Sequence, residues 1–81
     1  MIVRVTCFAR IREIVGSGQL ERALPEGANA SDCFRALAAD FPALADLGLS
    51  TRFVRDGAFV GAATALRDGD ELGLLPPYGG G

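Results

Sequence analysis

The sequence predicts a single α+β domain, one amphipathic helix laid across a small mixed sheet, on the strength of three observations. Several short segments alternate apolar and polar residues with a period of two, as half-buried strands do. One segment alone holds a long helical stripe: Ala30, Cys33, Phe34, Leu37, Ala38 and Phe41 follow the i, i+3, i+4, i+7 pattern. Between two short apolar runs stands Asp56-Gly57, a strong hairpin signal because both central residues of a type I′ turn need positive φ. The chain has 81 residues, 49% of them hydrophobic and 22% charged. That is enough for one core and too little for two, and too apolar for a disordered chain.

Taken in order, Ile2 to Phe8 puts Val3, Val5 and Cys7 on one side and Arg4 and Thr6 on the other, the first strand. Ile11, Ile14 and Val15 have helical spacing within Ala9 to Val15, and Gly16 is suited to end that short helix. Gln19 to Leu24 alternates Leu20, Arg22 and Leu24 against Glu21 and Ala23, a second strand ending at Pro25-Glu26-Gly27. The main helix then starts at an Asn29 cap, carries Asp32 near the positive end of its dipole, and stops at Pro42. Ala43 to Ser50 reads as a connection. The hairpin pairs Val54 with Phe59 and Phe53 with Val60. A turn at Asp68-Gly69-Asp70 precedes the last strand, Glu71 to Leu75, which Pro76-Pro77 ends. One main helix and a short helix on a mixed sheet of four to five strands make a β-grasp-like, ubiquitin-like arrangement. Residues 1–77 are expected to be the folded domain and residues 78–81 a flexible tail.

Composition excludes several chemistries. There is no histidine, so the usual general base and the commonest metal ligand are missing. All eight basic residues are arginine, so Schiff-base and P-loop lysine chemistry are also absent. A net charge of −2 lacks the basic footprint of a nucleic-acid binder, and Arg4, Arg10 and Arg12 read as a solvated face. No apolar run reaches the roughly 20 residues of a membrane span, and the start is unlike a signal peptide. The expectation is a cytoplasmic protein with no nucleic-acid or membrane partner, its Cys7 and Cys33 reduced and buried. Nor is it expected to be an enzyme by itself.

What remains is the end of the chain, Tyr78-Gly79-Gly80-Gly81. Two prolines remove ladder donors and release the residues after them from the sheet. Glycines without side chains suit a narrow channel in a partner. With 11 glycines in 81 residues, three at the end arise by chance in roughly one chain in 400 of this composition. The Gly81 carboxylate, ionised at neutral pH, is a nucleophile for the α-phosphorus of ATP if another protein supplies nucleotide and magnesium. The acyl-adenylate so formed is open to attack by sulfur.

These residues resemble a family. Phe8-Ala9-Arg10-Ile11-Arg12-Glu13-Ile14-Val15-Gly16 is similar to the opening strand-to-helix segment of the small, sulfur-carrying subunit of molybdopterin synthase, in the ubiquitin-like group with the thiamine sulfur carrier. Leu24-Pro25-Glu26-Gly27 looks like the approach to its main helix. Leu66-Arg67-Asp68-Gly69-Asp70-Glu71-Leu72, then Pro76-Pro77 and Gly80-Gly81, is similar to its closing signature. The resemblance implies that Gly81 is adenylated by a ubiquitin-activating-like enzyme and converted to a thiocarboxylate with sulfur from a donor protein. It further implies that Tyr78, Gly79 and Gly80 thread a channel of the large catalytic subunit. There sulfur passes to cyclic pyranopterin monophosphate during molybdenum cofactor biosynthesis. No cofactor is held permanently, ATP being used by the activating enzyme. The chain departs from the pattern at Tyr78 and Arg55, where small or aliphatic residues are usual, and in its third glycine, Gly79.

Two alternatives stay open: a carrier for thiamine, cysteine or tRNA thiolation, and a β-grasp interaction module with an inert tail. Asp68, Asp70 and Glu71 lack the spacing of a calcium loop and read as a turn, with no metal. Phe34 and Phe41 read as core. Phe59 and Leu74, with Tyr78, are the candidates for an apolar docking patch beside the tail.

Overall fold

The computed structural model describes residues 1–77. Tyr78, Gly79, Gly80 and Gly81, the expected tail, lie outside the described residues. Five strands form one sheet: β1 (Ile2–Cys7), β2 (Gln19–Ala23), β3 (Arg52–Arg55), β4 (Ala58–Val60) and β5 (Glu71–Leu75). Their order is β2-β1-β5-β3-β4. β1 and β5 run parallel while every other pair is antiparallel. The sheet is therefore mixed, and the β-grasp expectation holds.

Period two decides which side of the sheet meets the helix. Val3, Val5 and Cys7 of β1, Leu72 and Leu74 of β5 and Phe53 of β3 are all buried, and the register sets Val5 beside Leu72, Cys7 beside Leu74, and Leu74 beside Phe53. Against them lies α2 (Ala30–Asp40) with Ala30, Cys33, Phe34 and Leu37 buried along its stripe. Phe34 is core as expected, and Phe41, half-buried at the helix end, packs against the same cluster. Leu37 is wholly enclosed, so truncating it would leave a void that costs about 2–5 kcal/mol.

The start of α2 has a reciprocal cap. Asn29 Oδ1 accepts from the Asp32 N–H at 2.8 Å and Asp32 Oδ2 accepts from the Asn29 N–H at 2.9 Å. Two otherwise orphaned donors are thereby satisfied. The Asn29 hydrogen bond, with the Arg35 guanidinium beside it, holds the Asp32 carboxyl below the usual carboxylate range. The short helix α1 (Ala9–Val15) ends at Gly16, whose φ of 82° is left-handed and whose N–H donates to the Arg12 carbonyl.

The connection expected over Ala43 to Ser50 is instead a nine-residue 3₁₀ helix, Pro42–Ser50. Pro42 opens it with its φ already set, and Leu44, three residues before Leu47, is driven fully into the core. A spacing of three matches the three residues per turn of this helix. That signal lay in the sequence but is only two residues long. The segment ends where Thr51 Oγ1 donates to the Leu47 carbonyl at 2.9 Å.

The hairpin β3–β4 has the expected register, Phe53 with Val60 and Val54 with Phe59. Asp56 and Gly57 take φ values of 53° and 79°, the type I′ geometry. Arg55, the departure from the aliphatic pattern, has a partner for its charge. Its Nη1 donates to the Ala65 carbonyl at 2.9 Å and to Asp70 Oδ2 at 3.3 Å, tying the hairpin to the turn before β5.

Candidate functional site: the open sheet face beside the end of β5

β5 is the central strand, and its C-terminal end carries the chain towards the glycines. Pro76 is buried and Pro77 exposed. Because β1 is parallel to β5, its end meets the same edge, and Phe8 donates its N–H to the Leu74 carbonyl at 3.3 Å. Antiparallel β3 begins there too, with Arg52 opposite Leu75. The last described residues thus leave the sheet between Phe8 and Arg52.

The face away from α2 is uncovered among the described residues. In register, Thr6 stands beside Gly73, Gly73 beside Val54, and Val54 beside Phe59. Phe59 is 64% exposed and Phe8 44%, and the Arg52 guanidinium lies 5.5 Å from the Phe59 ring centre, within cation–π range. Gly73 leaves the middle of this face low. A hollow of about 300 Å³ sits over it, lined by Phe8 and Val54 with Thr6, Asp56 and Glu71.

The expected docking pair is divided by this geometry. Phe59 is on the open face, but Leu74 is fully buried and cannot form part of a docking surface. Apolar residues at 72, 74 and 75 left the parity of β5 ambiguous; pairing of Leu74 with Cys7 and Phe53 resolves it inwards. The aromatic that joins Phe59 on this face is Phe8. Its signal was available, since it follows the inward series Val3, Val5, Cys7 by one residue and so falls on the side of Thr6. Tyr78, Gly79, Gly80 and Gly81 fall outside the described residues, so their expected threading role carries no geometry.

The acidic turn is accounted for within the fold. Asp68 Oδ1 accepts from the Ile2 N–H at 2.7 Å, Asp70 Oδ2 from the Arg67 N–H at 2.8 Å, and Glu71 Oε1 from Thr6 Oγ1 at 3.3 Å. The bonds to Ile2 and Thr6 splice the turn onto β1, and the one to Arg67 closes the turn itself. Cys7 and Cys33 are free thiols and buried. Burial pushes both thiols up, Cys33 to about 11 despite the opposing charge of Arg22, which makes neither a ready nucleophile. Among the described residues no group of three or more His, Cys, Asp or Glu could hold a metal, and no helix is long and apolar enough to cross a membrane.

Known proteins share both sequence and fold with this chain. The molybdopterin synthase sulfur carrier subunit of Chlamydomonas reinhardtii is 32% identical over 83 residues, covering 100% of each chain. Small archaeal modifier protein 3 of Haloferax volcanii is 30% identical over 97 residues, again covering 100% of both. Among solved structures, the Pyrococcus furiosus protein described as molybdopterin converting factor subunit 1 superposes with a TM-score of 0.85 at 27% identity, over 95% of this chain and 98% of that one. The family model described as the ThiS family matches residues 5–81, a span that runs from within β1 through both α-helices and the other four strands to the glycine end, and the chain belongs to that family.

Proposed function

We propose that this protein is the sulfur-carrier subunit of a molybdopterin synthase and that its reactive group is the carboxyl carbon of Gly81. The observation that carries the reading is a triple-glycine end, behind a two-proline stop, on a chain of the ThiS family that is 32% identical to a molybdopterin synthase sulfur carrier subunit. The lack of histidine and lysine supports a carried group over a catalyst, because the chain has little with which to move protons at neutral pH.

The chemistry balances in three steps. A Gly81 carboxylate oxygen attacks the α-phosphorus of ATP on a ubiquitin-activating-like enzyme, and pyrophosphate leaves. Sulfur from a donor protein, delivered as a persulfide, then attacks the acyl carbon and AMP leaves; a thiol attacks the donor-side sulfur of the resulting acyl disulfide, is oxidised to a disulfide with the donor cysteine, and frees the thiocarboxylate. Gly79 and Gly80 offer no side chain to obstruct either attack. The open face, with Phe8, Val54 and Phe59 beside the end of β5, supplies the surface by which the folded domain docks on the large catalytic subunit. The tail then enters that subunit, and sulfur passes to cyclic pyranopterin monophosphate. Nucleotide and pterin both belong to partner proteins, and the setting is the cytoplasm.

A second reading is favoured by the likeness to small archaeal modifier protein 3: the activated Gly81 is joined to another protein. Incubating the full chain with an activating enzyme, ATP and a persulfide donor, then measuring intact mass, separates the two. The carrier reading expects one oxygen exchanged for one sulfur, confined to the C-terminal peptide. A covalent adduct with a second protein, and no sulfur gain, would replace it with the modifier reading.

A further inference from the structure

Gly73 is unexplained by backbone conformation. It sits in the interior of the central strand and its φ is not in the left-handed region, so other residues could adopt its geometry. Glycine in a strand interior weakens the strand, and one reason to keep it there is the close approach of another molecule. A Cβ at this position would come 3.2 Å from the Phe8 ring and 3.5 Å from Val54 Cβ. It would also fill the floor of the hollow that these two side chains wall.

The rim of that hollow has one sign of charge. Asp56 and Glu71 line it, with the Thr6 hydroxyl, and no cation does among the described residues. The nearest arginines are turned to other work. Arg4, opposite Glu71 in the register, lines a separate hollow with Glu21 and Asp68. Arg55 is held by Asp70 and the Ala65 carbonyl, and Arg52 lies over Phe59. An apolar floor and walls with an anionic rim fit a side chain that is aliphatic along its stem and positive at its tip.

Resting on the carrier reading, we infer that the hollow over Gly73 seats an arginine or lysine side chain of the large synthase subunit, its stem between Phe8 and Val54 and its cation between Asp56 and Glu71. The seat fixes the rotational setting of the domain on its partner, and so the direction in which β5 delivers the chain. Removing a rim carboxylate weakens association and its salt dependence, since exposed charges act through screened attraction.

The test is an equilibrium titration of the full chain against the large synthase subunit of the same organism, at low and moderate salt. The Asp56→Asn/Glu71→Gln double variant is expected to bind about three- to tenfold more weakly at low salt and to lose most of the salt dependence. Gly73→Ala is expected to weaken binding as well, with its thermal melt showing whether the fold is kept; Asp46→Asn, on the helical side, is expected to change nothing. A double variant within about twofold of the parent chain and with the same salt slope overturns the inference. A chain that gains sulfur at its C-terminus but does not bind the subunit also overturns it and leaves the carrier chemistry standing, whereas a chain that takes no sulfur removes the carrier reading itself.

Discussion

The two faces of the sheet are made by alternate residues of the same strands, and they are built to opposite rules. Towards α2, Val3, Val5, Leu72 and Leu74 are completely enclosed; on the other side, Phe59 and Phe8 stand in the open and Gly73 leaves a hollow where a side chain would otherwise pack. The first face accounts for stability, because apolar area removed from water is the main favourable term in folding. The second contributes little to the fold and leaves apolar surface uncovered, as contact surfaces do. A chain of this size can thus leave one sheet face free without weakening its core.

That contrast can be broken most directly at the helix. Leu37→Ala is expected to lower stability by about 2–5 kcal/mol, read by urea unfolding, whereas a loss under about 1 kcal/mol would mean that α2 is not the main cover of the core. The next effect is with pH. Cys33 is raised from the ordinary thiol value to about 11 by burial, so its neutral form is favoured in the folded state. Its contribution is fully present below the unfolded value and is lost as pH rises through the folded one, a window of roughly 9 to 11. Cys33→Ala should flatten that alkaline limb in pH-resolved thermal melts; an unchanged limb would place the titration elsewhere.

At the acid end the sign reverses. Asp32 is lowered by its hydrogen bond from Asn29 and by Arg35, so its stabilising effect is present above the ordinary carboxylate value and disappears as pH falls through the folded one. Asn29→Ala removes the side-chain half of the reciprocal cap, the bond from the Asp32 N–H to Asn29 Oδ1, while the backbone bond to Asp32 Oδ2 stays, and should cost about 0.5–2 kcal/mol at neutral pH. The smallest effect belongs to the open face. Phe59→Ser should alter stability by less than about 0.5 kcal/mol, measured by the same unfolding curves, while weakening association with the large subunit. A large loss of stability there would erase the distinction between the faces.

Much of the helical face was legible in the sequence because it obeys strong periodic rules. The stripe from Ala30 to Leu37, the Asn29 cap and the Asp56-Gly57 hairpin with its register all appear as read. The 3₁₀ helix Pro42–Ser50 escaped because Leu44 and Leu47 give a single repeat of three, too short to distinguish from a loop. The open face was harder. β5 has apolar residues on both sides, so Leu74 could be assigned outwards; only its partners Cys7 and Phe53 turn it in. The side on which Phe8 stands follows from the alternation of Val3, Val5 and Cys7, but its place beside the end of β5 comes from the parallel β1–β5 pairing, a contact between residues 66 apart in sequence that no local pattern encodes.

The central claim is that the folded domain is a vehicle and Gly81 the group it carries. Chain loaded with sulfur should be mixed with the large synthase subunit and cyclic pyranopterin monophosphate, and its intact mass followed over a single turnover. The account predicts that the sulfur mass disappears from the chain as dithiolene forms on the pterin, and that a chain lacking Gly81 neither loads nor transfers while melting like the parent. Product formed with the chain's sulfur still in place, or by the chain without Gly81, would contradict it.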